Sequence, residues 1–251
     1  MLTCGQLSMH STNEQPFITY LLNNVRQQVG HGATSPEIGE VTAIIKQDGS
    51  ESRAQVYCEF IASRLAALAG VQVPTGVFVT HSRGLRYASF KIAEVGFTLA
   101  DIENEDAEKV VARYPVETAR LAVFDAWICN FDRAGNLRAN ITESTDNLIV
   151  GIDHGGSLLS VADNFNVAFQ RLNSIDYPPT HMFTGMLNRR LIEPAVDRIQ
   201  SIVDDAIDDA CVLSGTVGSV MLPDQASLAE SLKWRRDNLK SIVEIALNIA
   251  N

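Results

Sequence analysis

The sequence predicts an α+β protein with two lobes, strand-rich over residues 1–95 and mainly helical over residues 96–251. Three observations lead there. Between residues 38 and 95, short apolar runs rich in β-branched residues flank one long helical pattern, whereas helical periodicity dominates afterwards. A hairpin pattern, Leu137 to Ile152, is inserted into the helical part. With 251 residues, 46% of them hydrophobic and 20% charged, the chain can bury a sizeable core.

The elements follow in order. Residues 1–27 are a polar lead-in with a short helix or strand from Pro16 to Val25. Glu40 to Lys46 reads as a strand, Arg53 to Gly70 as a helix ending at its glycine, and Gly76 to His81 and Leu85 to Ile92 as two strands turning at Ser82-Arg83-Gly84. Val116 to Cys129 is a strong helical pattern, with Phe124, Asp125 and Trp127 expected to serve the fold. Asn188 to Ser214 and Asp224 to Ala250 are helical, Pro223-Asp224 giving a start signal with Asp224 as N-cap. There is no internal repeat and no low-complexity tract.

Composition excludes several classes. A formal charge of −10 and a pI near 4.9 disfavour nucleic-acid binding, which relies on Lys and Arg neutralising phosphates. Asp204, Asp205, Asp208 and Asp209 share a helical pattern and read as a solvated face. Cys4, Cys58, Cys129 and Cys211 lack Cys-x-x-Cys spacing, as expected of reduced thiols in a cytoplasmic protein. No apolar run approaches the roughly 20 residues needed to cross a membrane, and the start carries no basic and apolar leader.

Chemistry concentrates in two segments about twenty residues apart, Phe124 to Asn136 and Leu148 to Gly156. Each ends an apolar stretch with acidic or amide side chains. Asp132 would stand where a helix gives way to a loop, and Asp153 would close a strand facing the same cleft. Phosphoryl transfer needs a carboxylate to orient the attacking hydroxyl, and an amide with a second carboxylate to hold Mg²⁺. Asp132, Asn136 and Asp153 are the residues of that kind. Either segment alone also reads as an ordinary turn, where Asp and Gly commonly fall. Upstream, Lys46 ends an apolar strand where it can reach phosphates, and Glu59 lies on the next helix where it can pair with it; by residue type alone they also read as a solvated strand end and a surface helix residue. Gly30 and Gly32, in Gly30 to Gly39, precede that strand as a candidate phosphate-covering loop, without a kinase or P-loop glycine spacing.

Four pieces, Val41-Thr-Ala-Ile-Ile-Lys46, Cys58-Glu59 through Val73-Pro74, Asn130-Phe-Asp-Arg133 and Ile152-Asp-His-Gly155, occur in the order of the HipA-like kinases, which the chain resembles from about residue 28 to 160. This branch of the protein-kinase-like fold is akin to the phosphatidylinositol kinases. The resemblance implies ATP and Mg²⁺ as cofactors, with Asp132, Lys46 and Glu59 catalytic. It also implies Asn136 and Asp153 at the metal, Ser89 near the hinge where adenine would meet the backbone, and a regulatory protein partner. His154 is expected to give hydrogen-bonding support beside Asp153. The chain departs from the pattern in two places. Asn136 stands four residues after Asp132, one fewer than usual in the family, and Ala134 replaces the usual His. Asn140, eight residues after Asp132, is the alternative metal ligand, although Gly135-Asn136-Leu137 keeps the family's local wording.

Three readings follow: a serine/threonine protein kinase, a kinase of the same fold acting on a lipid headgroup or small molecule, and a degenerate member that binds nucleotide or a partner without catalysis. Retained Asp132, Asp153, Lys46 and Glu59 favour the first two; the altered spacing favours the third. The phosphoacceptor would be faced by residues 157–180, read as a polar loop in which Ser157, Ser160 and Ser174 offer hydroxyls for autophosphorylation.

Overall fold

The computed structural model describes residues 18–28, 36–50, 52–82, 84–93, 99–142, 148–178 and 180–249. Strands β1 (Leu22–Gln28) and β2 (Glu37–Val41) form an antiparallel hairpin with Gln28 opposite Glu37. Gly30 and Gly32 therefore fall in its connection, outside the described residues, whereas Gly39 belongs to β2. The single strand expected from Glu40 to Lys46 is broken at Thr42, whose carbonyl accepts from Lys91 N at 2.9 Å, and resumes as β3 (Ala43–Lys46). Helix α1 (Gln55–Ala69) follows. Its N-terminal residue, Ala54, has no capping side chain, so Asp48 Oδ1 accepts from Val56 N at 2.9 Å instead. It ends at Gly70, whose φ of 71° permits the left-handed turn that closes the helix. Strands β4 (Gly76–His81) and β5 (Gly84–Phe90) complete a sheet of order β3-β5-β4. Gly76 is obligatory there, because a Cβ would lie 2.0 Å from the Tyr87 hydroxyl.

Strand β6 (Ala100–Asp101), helix α2 (Ala107–Arg113) and helix α3 (Pro115–Ile128) lead to the inserted hairpin, β7 (Leu137–Ala139) and β8 (Ile149–Gly151), in a sheet of order β6-β7-β8. Residues 157–180, expected as a loop, instead contain a 3-10 turn, Leu158–Val161, and helix α4 (Phe165–Leu172), started by Asn164 accepting from Val167 N. The pattern over Asn188 to Ser214 resolves into α5 (Arg189–Gln200) and α6 (Asp204–Cys211). The last pattern resolves into α7 (Leu222–Asp237) and α8 (Leu239–Ala246), broken at Asn238. Asp224 is not the N-cap of α7: that residue is Met221, and Asp224 sits one turn inside, its Oδ2 accepting from Met221 N at 3.0 Å.

One apolar core runs from α1 through α3 to α8, with Tyr57, Ile61 and Leu65 of α1 packed among Phe124, Trp127 and Leu232. A smaller cluster, Ile92, Leu99, Leu148 and Val150, lies where the strand-rich part meets the β6-β7-β8 sheet. Among the described residues, no helix is long and apolar enough to cross a membrane.

Candidate active site

Lys46 is the last residue of β3 and stands opposite Tyr87 on β5, which aims it at α1. Its ammonium forms an ion pair with Glu59 and a second, at 2.7 Å, with Asp153 Oδ1. The Glu59 side chain is only 5% exposed, and burial pushes its carboxyl up from the usual range against the opposing pull of Lys46. Asp153 is 44% exposed. Burial also tends to raise its carboxyl, but the hydrogen bond and charge of Lys46 outweigh this and hold it below its ordinary value. Asp153 has φ of 52°, a left-handed conformation that a non-glycine residue adopts at a cost of about 1–3 kcal/mol. The turn places its carboxylate on Lys46.

The loop bearing Asp132 begins where α3 stops, at Cys129 with φ of 60°. Asn130 folds back, donating through Nδ2 to Asp125 Oδ1 at 2.9 Å, and its Oδ1 accepts from Asp132 N at 3.3 Å. Asp132 is exposed, and Asn136 Nδ2 donates to its Oδ2 at 3.2 Å and its carbonyl at 3.0 Å. The four-residue spacing thus leaves the two side chains adjacent. Asn140 is buried; its side-chain oxygen accepts from Thr142 N at 3.0 Å and Thr142 Oγ1 at 2.7 Å, so it holds a turn.

Arg133 joins the two segments. Its guanidinium is 1% exposed and grips Asp125 through Nε at 2.8 Å and Nη2 at 2.6 Å, while Nη1 donates to the carbonyls of Asn136 at 2.6 Å and Ile152 at 2.9 Å. Nη2 also reaches His154 Nε2 at 3.0 Å. Burial, reinforced by the Arg133 charge, pushes the His154 imidazole down to about 3, so it is neutral and accepts that bond. His181 Nδ1 accepts from Phe183 N at 3.2 Å, which leaves Nε2 to donate to Asp125 Oδ2 at 3.1 Å. Tyr177 donates to the Asn130 carbonyl. Sequence reasoning foresaw the support from His154 and the fold role of Asp125. It missed Arg133 as the tie, together with His181 and Tyr177, which approach from more than forty positions away with no periodic signal.

A cleft of ≈ 230 Å³ opens beside Lys46 and Asp153. Ser89 lines it, opposite Ile44 on β3, together with Phe90, Ile92, Arg138 and Ile152. Among the described residues, no cluster of three or more His, Cys, Asp or Glu is placed to hold a metal ion. The acidic helix α6 is balanced locally, Asp204 by Arg236 at 2.6 Å and Asp208 by Lys233 at 2.8 Å.

The chain has an α+β kinase-like fold of the HipA type, with Lys46 on a strand, Glu59 on the next helix, and Asp132 and Asp153 on either side of the β7-β8 hairpin. The chain is similar to the proinflammatory kinase CtkA of Helicobacter pylori, with 15% identity, a TM-score of 0.55, and coverage of 90% of this chain and 97% of that one. It is also similar to the HipA chain of the Shewanella oneidensis MR-1 toxin–antitoxin complex with HipB and operator DNA, at 13% identity and a TM-score of 0.57. That match covers 86% of this chain and 62% of the HipA chain. No family model matches the sequence, and no curated protein is similar to it in sequence.

Proposed function

We propose that the protein is an ATP- and Mg²⁺-dependent phosphotransferase acting on serine or threonine hydroxyls of a protein. The observation that carries this reading is Lys46 held between Glu59 and Asp153, which puts a fixed ammonium at the mouth of a cleft with a carboxylate beside it. Glu59 orients Lys46, and Lys46 meets the phosphates as a point charge. Asp132, exposed at the head of its loop, accepts the proton of the attacking hydroxyl. The donor set suits Mg²⁺, which takes one or two protein oxygens and completes its shell with phosphate and water. Asp153 and the Asn136 amide oxygen would hold it, and Asn140, with its oxygen committed to Thr142, would not. The bound ion would neutralise charge developing on the phosphoryl oxygens.

One observation favours a second reading, nucleotide or partner binding without transfer: the Asn136 amide is already engaged with Asp132. The HipA likeness supports a regulatory protein partner, and the buried free thiols Cys58, Cys129 and Cys211 support a cytoplasmic setting. The test is thermal unfolding with and without MgATP in wild type and Asp153→Asn, followed by transfer of labelled γ-phosphate on the same samples. A shift lost in the variant, with transfer in the wild type, is the kinase outcome. A shift without transfer is the binding-only outcome, and no shift at millimolar MgATP would sink both.

A further inference from the structure

Residues 47–54 join β3, which ends at Lys46, to α1, which carries Glu59. A hydrogen bond from Gly49 N to the Ser52 carbonyl at 3.1 Å folds the middle of this connection into a turn. Asp48 lies two residues beyond Lys46, and its Oδ1 accepts from Val56 N, three residues before Glu59, at 2.9 Å. One short side chain therefore spans from the strand end to the first turn of the helix. It takes the place of the cap that Ala54 cannot supply, and its charge suits the positive end of the helix dipole.

The other carboxylate oxygen is seated by the helical part of the chain. Val217 N donates to the Val220 carbonyl at 3.1 Å and Val220 N to the Val217 carbonyl at 2.9 Å, which closes a two-residue turn over Gly218 and Ser219. Both valines are buried in the main core, so the turn is rooted there. Gly218 has φ of 58°, and a Cβ on it would lie 2.1 Å from Asp48 Oδ2. Backbone conformation and close approach thus both require glycine. Ser219 Oγ holds the same turn to the end of the connection by donating to the Arg53 carbonyl at 2.8 Å. Strand end, helix start and turn meet at Asp48.

We infer that Asp48 is a positioning residue: seated on Gly218, it fixes the strand end bearing Lys46 against the helix bearing Glu59. The joint stands on contacts within the protein, and its part in phosphate binding rests on the proposed function. Asp48 accepts from a backbone N–H, so the amide oxygen of an asparagine can take over the bond.

The test is the initial rate of acetylation by acetic anhydride in the folded protein, followed at each lysine by peptide mass spectrometry, with MgATP titration calorimetry on the same samples. Lys233 is the internal reference, since it is 15% exposed and paired with Asp208 and Glu230, as Lys46 is 13% exposed and paired with Glu59 and Asp153. Asp48→Ala should speed acetylation of Lys46 about fivefold, leave Lys233 unchanged, and weaken MgATP about fivefold. Gly218→Ala, which displaces Asp48 from the other side, should speed Lys46 as well, whereas Asp48→Asn should stay within about twofold of wild type. Asn188→Ala removes a comparable cap, the 3.2 Å bond from Leu191 N at the start of α5, and should leave Lys46 as it is. Unchanged Lys46 acetylation in Asp48→Ala and Gly218→Ala would overturn the inference. So would Lys46 and Lys233 speeding up together, the mark of general loosening, or faster Lys46 acetylation with MgATP affinity unchanged. Should Asp48→Ala fail to fold, Gly218→Ala against Asp48→Asn makes the same comparison. A wild type that binds no MgATP while the acetylation differences persist would fail the phosphotransferase reading and leave the joint standing.

Discussion

Replacing Arg133 by Met tests whether one buried side chain holds the two acidic segments together. Asp125 would keep Asn130 and His181 as partners, but would lose both guanidinium bonds in a site with no exposure to water. The carbonyls of Asn136 and Ile152 and the His154 Nε2 would lose a donor as well. Removing one partner of a buried pair costs about 3–5 kcal/mol, because the remaining charge is left uncompensated. For a chain of 251 residues, with about 2–4 °C per kcal/mol, the midpoint should fall by roughly 6–20 °C. Differential scanning calorimetry measures this, and Asp125→Leu combined with Arg133→Met should recover part of the loss. The pH dependence supplies a check on sign. Burial pushes the Asp125 carboxyl up, but the Arg133 charge and hydrogen bonds win and hold it well below the usual carboxylate range. Without Arg133, burial is opposed only by the bonds from Asn130 and His181, and the folded variant takes up a proton more readily. The gap between variant and wild type should therefore narrow as pH falls towards about 4. A loss below about 1 kcal/mol at neutral pH, or a gap that widens on acidification, would refute this account.

Asp132→Asn and Asp153→Asn should each lower γ-phosphate transfer by about 10²-fold or more, with the unfolding midpoint nearly unchanged, since both carboxylates reach solvent; an unfolded Asp132→Asn protein would make Asp132 structural. Trp127→Ala should cost about 3–5 kcal/mol in urea titration, as its ring is fully buried and Nε1 donates to the Leu232 carbonyl at 3.0 Å. His154, neutral in the fold down to about 3, takes a proton first in the unfolded chain, near 6.5. Its contribution is complete above 6.5 and falls by about 1.4 kcal/mol per pH unit below it, so the midpoint of His154→Gln should decline less between pH 6.5 and 4 than that of wild type. Gly155→Ala would set a Cβ 2.8 Å from Gln55 Cγ and 3.2 Å from Glu59 Oε1. Displaced Glu59 should lower transfer while calorimetry changes little, and unchanged transfer would mean that Glu59 does not orient Lys46.

What was legible in the sequence is what local pattern encodes. Val116 to Cys129 became α3 with its limits moved by one residue, and Arg53 to Gly70 contained α1, because both have apolar periodicity and a definite stop. The Lys46–Glu59 contact was foreseen from the resemblance to the HipA-like kinases, since by residue type alone a strand-end lysine and a helix glutamate read as exposed. Longer patterns misled. Periodicity continues across residues 201–203 and Asn238, but the chain turns at both, since packing α5 on α3 and α6 on α7 requires a change of axis. The seat of Asp125 was illegible for a different reason. His181 and Tyr177 follow α4, and only tertiary packing brings them to the end of α3.

The placement of α1 decides how the site is held. Tyr57, two residues before Glu59, donates to the Cys211 carbonyl at 2.7 Å, and Arg64 donates to the Asp209 carbonyl at 2.8 Å. At the helix start, Ser219 Oγ donates to the Arg53 carbonyl at 2.8 Å. Tyr57, Ile61 and Leu65 are fully buried in the same core as α3 and α7. Lifting α1 away would expose these side chains at about 1.5–3 kcal/mol each, besides breaking the three bonds. The helical region, not the strands, therefore fixes the Glu59 carboxylate, and Lys46 is drawn to it. Under the proposed function, control of activity would have little to gain from moving α1, and would act on the exposed Asp132 with Asn136 and on the Asp153 carboxylate held by Lys46.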